Sequence, residues 1–162
     1  MEPQFVTKPA FTVVGMCIQT TALSPDIPNL WQKFGPQMSE VQYLAEPVGI
    51  DGVMTHHIAY GLMDHYDENT GKFDYLAGEA VTKVEELPAG MTAWNIPANT
   101  YAVFETTLPT LGADFGHIFS TWLPLSGYQQ ANGPYYEHYG ETFNPDDPTS
   151  TLSIYIPVEK KT

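Results

Sequence analysis

The sequence predicts an α+β fold built on a duplicated β-α-β-β unit. Three observations carry this reading. Short apolar runs rich in β-branched residues recur between proline and glycine turns. Two stretches show helical apolar spacing, and each holds a tryptophan, Trp31 and Trp122. The halves also echo one another: Pro9-Ala10-Phe11-Thr12 resembles Pro97-Ala98-Asn99-Thr100, and each is followed by an apolar strand, a tryptophan helix and an aromatic strand pair. Such a unit, doubled, forms one antiparallel sheet system with both helices on a single side. The opposite side, or the groove between the halves, is left for a ligand.

Each element follows from local chemistry. Residues 9–20 are β-branched and largely apolar and predict a strand entered through Pro9. Ser24-Pro25-Asp26 opens a helix whose stripe is Ile27, Leu30, Trp31, Phe34 and Met38, with Pro36 kinking or ending its last turn. A connection through Pro47, Gly49 and Gly52 leads to strands over 56–66 and 73–82, joined by a hairpin loop at 67–72 with Gly71 placed for positive φ. After the turn at 87–90 come strands over 91–96 and 100–107. From Asp114, Phe115, Ile118, Phe119, Trp122 and Leu123 form a second stripe, stopped by Pro124 and Gly127. Residues 135–141 alternate as a strand, 144–148 form a loop, and 151–158 make the last strand.

The chain has 162 residues, 19 acidic and 6 basic side chains, no arginine and a formal charge of −13. At roughly 150 residues per domain this is one domain or two fused small halves, here taken as residues 1–162 with repeats over about 5–85 and 90–158. Phosphate backbones demand clustered Lys and Arg, so nucleic acid is not an expected partner, and neither is an anionic membrane surface. Without arginine the bidentate grip on carboxylates and phosphates is missing, which favours a neutral or cationic ligand. The single cysteine, Cys17, lies in an apolar run and is read as a small core residue. The N-terminus lacks a signal-peptide pattern and no apolar run nears the roughly 18 residues that span a bilayer, so the expected location is the cytoplasm.

Glu137 stands out. It lies in Tyr135-Tyr136-Glu137-His138-Tyr139, where period two places Tyr135, Glu137, Tyr139 and Glu141 on one face. A carboxylate flanked by tyrosines suits a lipophilic cation, through charge and cation–π attraction. The same spacing also fits a solvent-facing strand whose rings cover their neighbours. Tyr60, Tyr66, Tyr75, Trp94, Tyr101, Phe104 and Tyr139 all fall on expected strands, as core or as pocket. His56, His57 and His65 lie near Asp64 and Asp67, but adjacent histidines on a strand face opposite ways, so no metal and no cofactor is expected. Nucleophile-elbow, P-loop and dinucleotide motifs are absent.

Taken together, PAFTVVGMCIQT, IPNLWQKF, HYDENTGKFDYLAGEAV, MTAWNIPANTYAVFETTLP, IFSTWLPLSGYQ, GPYYEHYGETFNPDDP and LSIYIPV resemble the GyrI-like small-molecule-binding domains. These form the effector-binding half of AraC- and MerR-type multidrug regulators. The resemblance runs from about Phe5 to Val158. It implies two repeats related by pseudo-twofold symmetry, with a ligand groove between the halves. It also implies Glu137 as the acidic anchor for cationic ligands, Tyr139 as its aromatic companion, and Trp94, Tyr60 and Tyr101 as groove residues. With no room for a helix-turn-helix, the chain is expected to be a stand-alone effector domain that senses or sequesters a lipophilic cation, with any protein partner unknown. Two other readings accompany this one. Some relatives resemble hydrolases that detoxify electrophiles, for which Glu137 with a tyrosine would serve. The family name also suggests inhibition of DNA gyrase by protein contact.

Overall fold

In a computed structural model, the described residues are 1–22, 24–42, 58–82, 84, 86–140 and 142–162. The expected connection through Pro47, Gly49 and Gly52, the start of the 56–66 strand with His56 and His57, and Glu141 lie outside them.

The strands are β1 (Gln4–Lys8), β2 (Phe11–Thr21), β3 (Ala59–Asp64), β4 (Lys72–Val81), β5 (Thr92–Ile96), β6 (Asn99–Thr107), β7 (Tyr128–Gln130), β8 (Tyr135–Tyr139) and β9 (Thr151–Lys160). They join in one antiparallel sheet in the order β1-β6-β9-β8-β3-β4-β2-β5, with β7 added to β9. The order reads as two copies of one motif: β2-β4-β3 and β6-β9-β8 meet through the β3–β8 pair. The duplication expected from the sequence is therefore built into the sheet.

Two edge strands complete the symmetry. β1 runs into β2 through Pro9-Ala10 alone, and β5 into β6 through Pro97-Ala98, yet β1 pairs with β6 and β5 with β2. Two residues span at most about 7 Å. The sheet therefore rolls until its two ends approach each other. The rolled side holds a core of Val13, Tyr60, Leu62, Leu76, Ile96, Tyr101 and Tyr136.

The helices cover the other side. Helix α1 (Asp26–Phe34) gives way to a 3-10 turn at Gly35–Gln37, where Pro36 ends the α-helical ladder, and then to the short α2 (Ser39–Gln42). In the second half, helix α3 (Leu111–His117) begins before the expected Asp114, because a 3-10 turn at Leu108–Thr110 and a reciprocal Thr107–Thr110 capping box start the coil earlier. It continues through a π-helical turn at Ile118–Trp122 into α4 (Leu123–Leu125), where Pro124, which has no amide hydrogen, follows directly on the π-turn. Leu30 and Phe34 pack on Val14, Met16, Tyr75 and Ala77, while Ile118 packs on Ala102, Phe104, Ile154 and Ile156.

One cross-strand row shows that both helices share a face. Phe104 lies opposite Ile154, Ile154 opposite Glu137, Glu137 opposite Gly61, Gly61 opposite Ala77, and Ala77 opposite Met16. The ends of the row belong to the two helix-covered clusters, and its centre, Glu137 beside Gly61, lies where the halves meet.

Cys17 departs from the core reading. It is exposed, since β2 alternates and buried Met16 faces the helices. On the rolled side, β5 pairs with β2 only as far as Gly15, so nothing in that strand covers Cys17.

A Cβ at Gly61 would lie 2.5 Å from Glu137 Oε1 and closer still to the Tyr75 hydroxyl. Gly61→Ala is expected to lower stability by about 1–3 kcal/mol, read as an earlier urea midpoint at unchanged slope.

Candidate functional site

Glu137 comes from the centre of β8, which alternates as the sequence implies. Tyr136 is buried on the rolled side, and Glu137 and Tyr139 point toward the helices. Glu137 is only 6% exposed. Its Oε1 accepts a hydrogen bond from the Tyr75 hydroxyl at 2.7 Å and another from Tyr139 at 2.9 Å. Tyr75 in turn accepts from the Trp31 indole N–H at 2.9 Å. Trp31 on α1, Tyr75 on β4 and Tyr139 on β8 are thereby locked to one carboxylate oxygen.

Among the described residues no ammonium pairs with this carboxylate, and the sequence has no arginine. Burial raises the Glu137 pKa above the ordinary carboxylate value, opposed by the hydrogen bonds from Tyr75 and Tyr139. Burial, and then the facing carboxylate, raises both tyrosines well above their usual value, so they stay neutral donors.

A cavity of about 670 Å³ opens over this group. The first half supplies Ile27, Pro28, Trp31 and Met38. The second supplies Leu108 and Leu111 at the start of the α3 region, and Tyr139, Phe143 and Pro145 beyond it. Glu137 and Ala59 form part of the floor. The Trp31 ring meets Tyr139 edge-on at 5.4 Å between centroids, and Tyr139 meets Phe143 at 4.9 Å. The lining is an apolar and aromatic box with one ionisable carboxylate.

Of the residues singled out by sequence, Glu137 and Tyr139 lie in this cavity. Trp94, Tyr60 and Tyr101 do not line it. Tyr60 and Tyr101 are buried in the core of the rolled side, and Trp94 packs against that core with its ring 6.0 Å from His65. The alternation of β3 explains Tyr60, because Gly61 takes the helix side. Sequence reasoning did not assign Trp31, Tyr75, Phe143 or Gly61 to the site. Their signals were present as a helix stripe and a strand tyrosine, but only the strand register joins them to Glu137. Among the described residues no group of three or more His, Cys, Asp or Glu side chains could hold a metal ion, and no helix is long and apolar enough to cross a membrane.

Residues 4–158 match a protein family described as Cass2, integron-associated effector binding protein. The chain is 32% identical over 161 residues to the transcriptional regulator BrlR of Pseudomonas aeruginosa, covering 98% of this chain and 56% of that protein. It thus spans just over half the length of this relative. Among solved structures, SAV2435 bound to tetraphenylphosphonium superposes with a TM-score of 0.71 at 15% identity, covering 98% of this chain and 94% of that one. The integron cassette protein VCH_CASS2 of Vibrio cholerae gives 0.62 at 22% identity over 98% and 96%. A hydrolase from Listeria innocua shares the fold at 0.55 and 8% identity, over 98% and 92%.

A carboxylate whose folded pKa is raised contributes stability that is fully present below its ordinary value of 4.5 and is lost as pH rises through the raised value. Glu137→Gln removes that loss. Its thermal midpoint is expected to match or exceed the parent's at pH 7 and to fall back relative to the parent below about pH 4.

Proposed function

The chain belongs to the family of integron-associated effector-binding proteins, and from that premise we propose that its helix-side cavity binds a lipophilic organic cation. The observation that carries this reading is the buried Glu137 carboxylate, held by two tyrosine hydroxyls and facing an apolar cavity that has no cation among the described residues. Leaving an unpaired charge in such a place is costly, and a cationic ligand with apolar bulk offsets that cost. The rings of Trp31, Tyr139 and Phe143 add apolar contact and cation–π attraction. Tetraphenylphosphonium, bound by the structurally similar SAV2435, has the required chemistry: one delocalised charge inside four apolar rings.

The likeness to BrlR, a transcriptional regulator, supports a sensing role whose output is control of transcription. We place that role in the cytoplasm. Binding sets three demands on the site. Glu137 must be ionised, Trp31 must wall the ligand, and water must be excluded. The Trp31–Tyr75–Glu137 chain couples the first two, since the indole that walls the cavity also anchors the tyrosine that orients the acid.

Hydrolysis of an electrophile is the second reading, favoured by the raised pKa of Glu137 beside the Tyr139 hydroxyl at 2.9 Å. There the carboxylate would take a proton from water and a tyrosine would donate to the developing anion. Incubation with a panel of epoxides and activated esters tests it: product formation that disappears in Glu137→Gln supports hydrolysis, and no turnover removes it.

For binding, tryptophan fluorescence of a chain with Trp94 and Trp122 replaced by Phe, which leaves Trp31 in the cavity wall, reports titration with tetraphenylphosphonium. Glu137→Gln is expected to weaken binding at least about tenfold, near 1.4 kcal/mol. Affinity of the parent rises with pH through the raised Glu137 pKa and then levels, while the variant stays flat. Equal affinities in the two proteins would remove Glu137 as the anchor.

A further inference from the structure

We propose that the rolled side of the sheet carries a second organic-cation site, an aromatic cage filled in this state by the chain's own Lys8. Lys8 ends β1, where the chain turns the corner into β2. Its ammonium lies 4.5 Å from the ring centre of Phe11, 5.3 Å from Tyr155, 5.4 Å from Tyr60 and 5.6 Å from Tyr136. All four distances are within the roughly 6 Å range of cation–π attraction. Its polar contact is the Tyr60 hydroxyl, at 3.5 Å. Among the described residues no carboxylate pairs with it, in a chain that carries 19 of them. A half-buried ammonium held by rings rather than by an acid is placed as a ligand is placed in a cage.

The walls agree with that role. Tyr60, Tyr136 and Tyr155 are fixed by mutual ring contacts, including a stack of Tyr136 on Tyr155 at 4.9 Å. Tyr136 and the neighbouring Tyr101 are fully buried. His138 borders the cage, 5.3 Å from both the Tyr60 and the Tyr155 rings. Burial, and then the Lys8 charge, lowers its pKa to about 4, so near neutral pH its imidazole brings no competing charge. The cage lies on the opposite face from Glu137: Tyr136 and His138 flank it in β8 and point the other way. It is therefore a site of its own and takes a compact alkylammonium headgroup, because rings without an acid attract charge at short range and favour a weakly hydrated cation. Such a ligand must displace Lys8, and with it the end of β1.

Tetramethylammonium chloride is the probe, with sodium chloride at matched ionic strength as control. The titration uses Glu137→Gln chains, so that the helix-side cavity is weakened, and follows the Tyr60, Tyr155 and His138 ring resonances, which report the rolled side alone, by NMR. With Lys8→Met added, the expected result is a saturable shift at least about tenfold tighter than in the chain that keeps Lys8. Adding Tyr60→Leu should abolish it. In the chain that keeps Lys8, high probe concentrations should move the lysine ε-methylene protons from ring-shielded positions to those of a free lysine. This second readout needs no change at Lys8 and serves if Lys8→Met fails to fold. Ring resonances that ignore the probe in a folded Lys8→Met chain, or ε-methylene protons that stay shielded at saturating probe, would overturn the proposal.

Discussion

A carboxylate that has no cationic partner among the described residues, buried where two halves of a sheet meet, sets the terms for the rest of this structure. Glu137 keeps its place through two tyrosine hydroxyls on one oxygen. Hydrogen bonds of this kind to a charged acceptor are each stronger than neutral ones, but they do not neutralise it. The neighbouring elements are arranged around that charge. Gly61 opposite it has no side chain, which leaves room for the acid and for Tyr75. Tyr75 is held by Trp31, so helix α1 is tied to the floor of the cavity. The duplication explains why the site exists once. The same central position is glutamate in one half and glycine in the other, and a second acid there would have brought two like charges together in a dry place.

The sheet register also explains what the sequence could and could not reveal. Period two along Tyr135-Tyr136-Glu137-His138-Tyr139 was enough to pair Glu137 with Tyr139 on one face. The two helix stripes and seven of the strands were legible for the same reason, because each is a local pattern of more than four residues. β1 and β7 were not, being short edge strands of mixed polarity whose pairing is fixed by residues far away. Tyr75, Trp31 and Gly61 meet Glu137 across separations of 62, 106 and 76 positions, and no local spacing announces that. Tyr60 shares β3 with Gly61 but faces the other way, a one-residue difference that alternation turns into opposite sides of the sheet, and Tyr101 lies on β6, which lends the cavity no residue. Cys17 shows a related limit: its apolar neighbours are buried, but strand length decides whether its own face is covered.

Two aromatic assemblies thus occupy opposite faces of one sheet. Among the described residues, rings on the helix side surround an acid and lack a cation, while rings on the rolled side surround a cation and lack an acid. The excess of acidic side chains, a formal −13, raises the local concentration of cations over both. That long-range attraction is screened by salt, whereas the short-range selection made by buried rings and by Glu137 is screened far less.

The direct test of an ionised Glu137 as the anchor is proton release on binding. Calorimetric titration of tetraphenylphosphonium at mildly acidic pH, repeated in buffers of different ionisation enthalpy, counts the protons released. A cation that binds the ionised carboxylate must expel the proton that the raised pKa retains. The parent should therefore release a fraction of a proton that vanishes at higher pH, and Glu137→Gln should release none. Binding with no proton release from the parent at any pH, or with the same release from both proteins, would contradict the assignment of Glu137 as the charged contact.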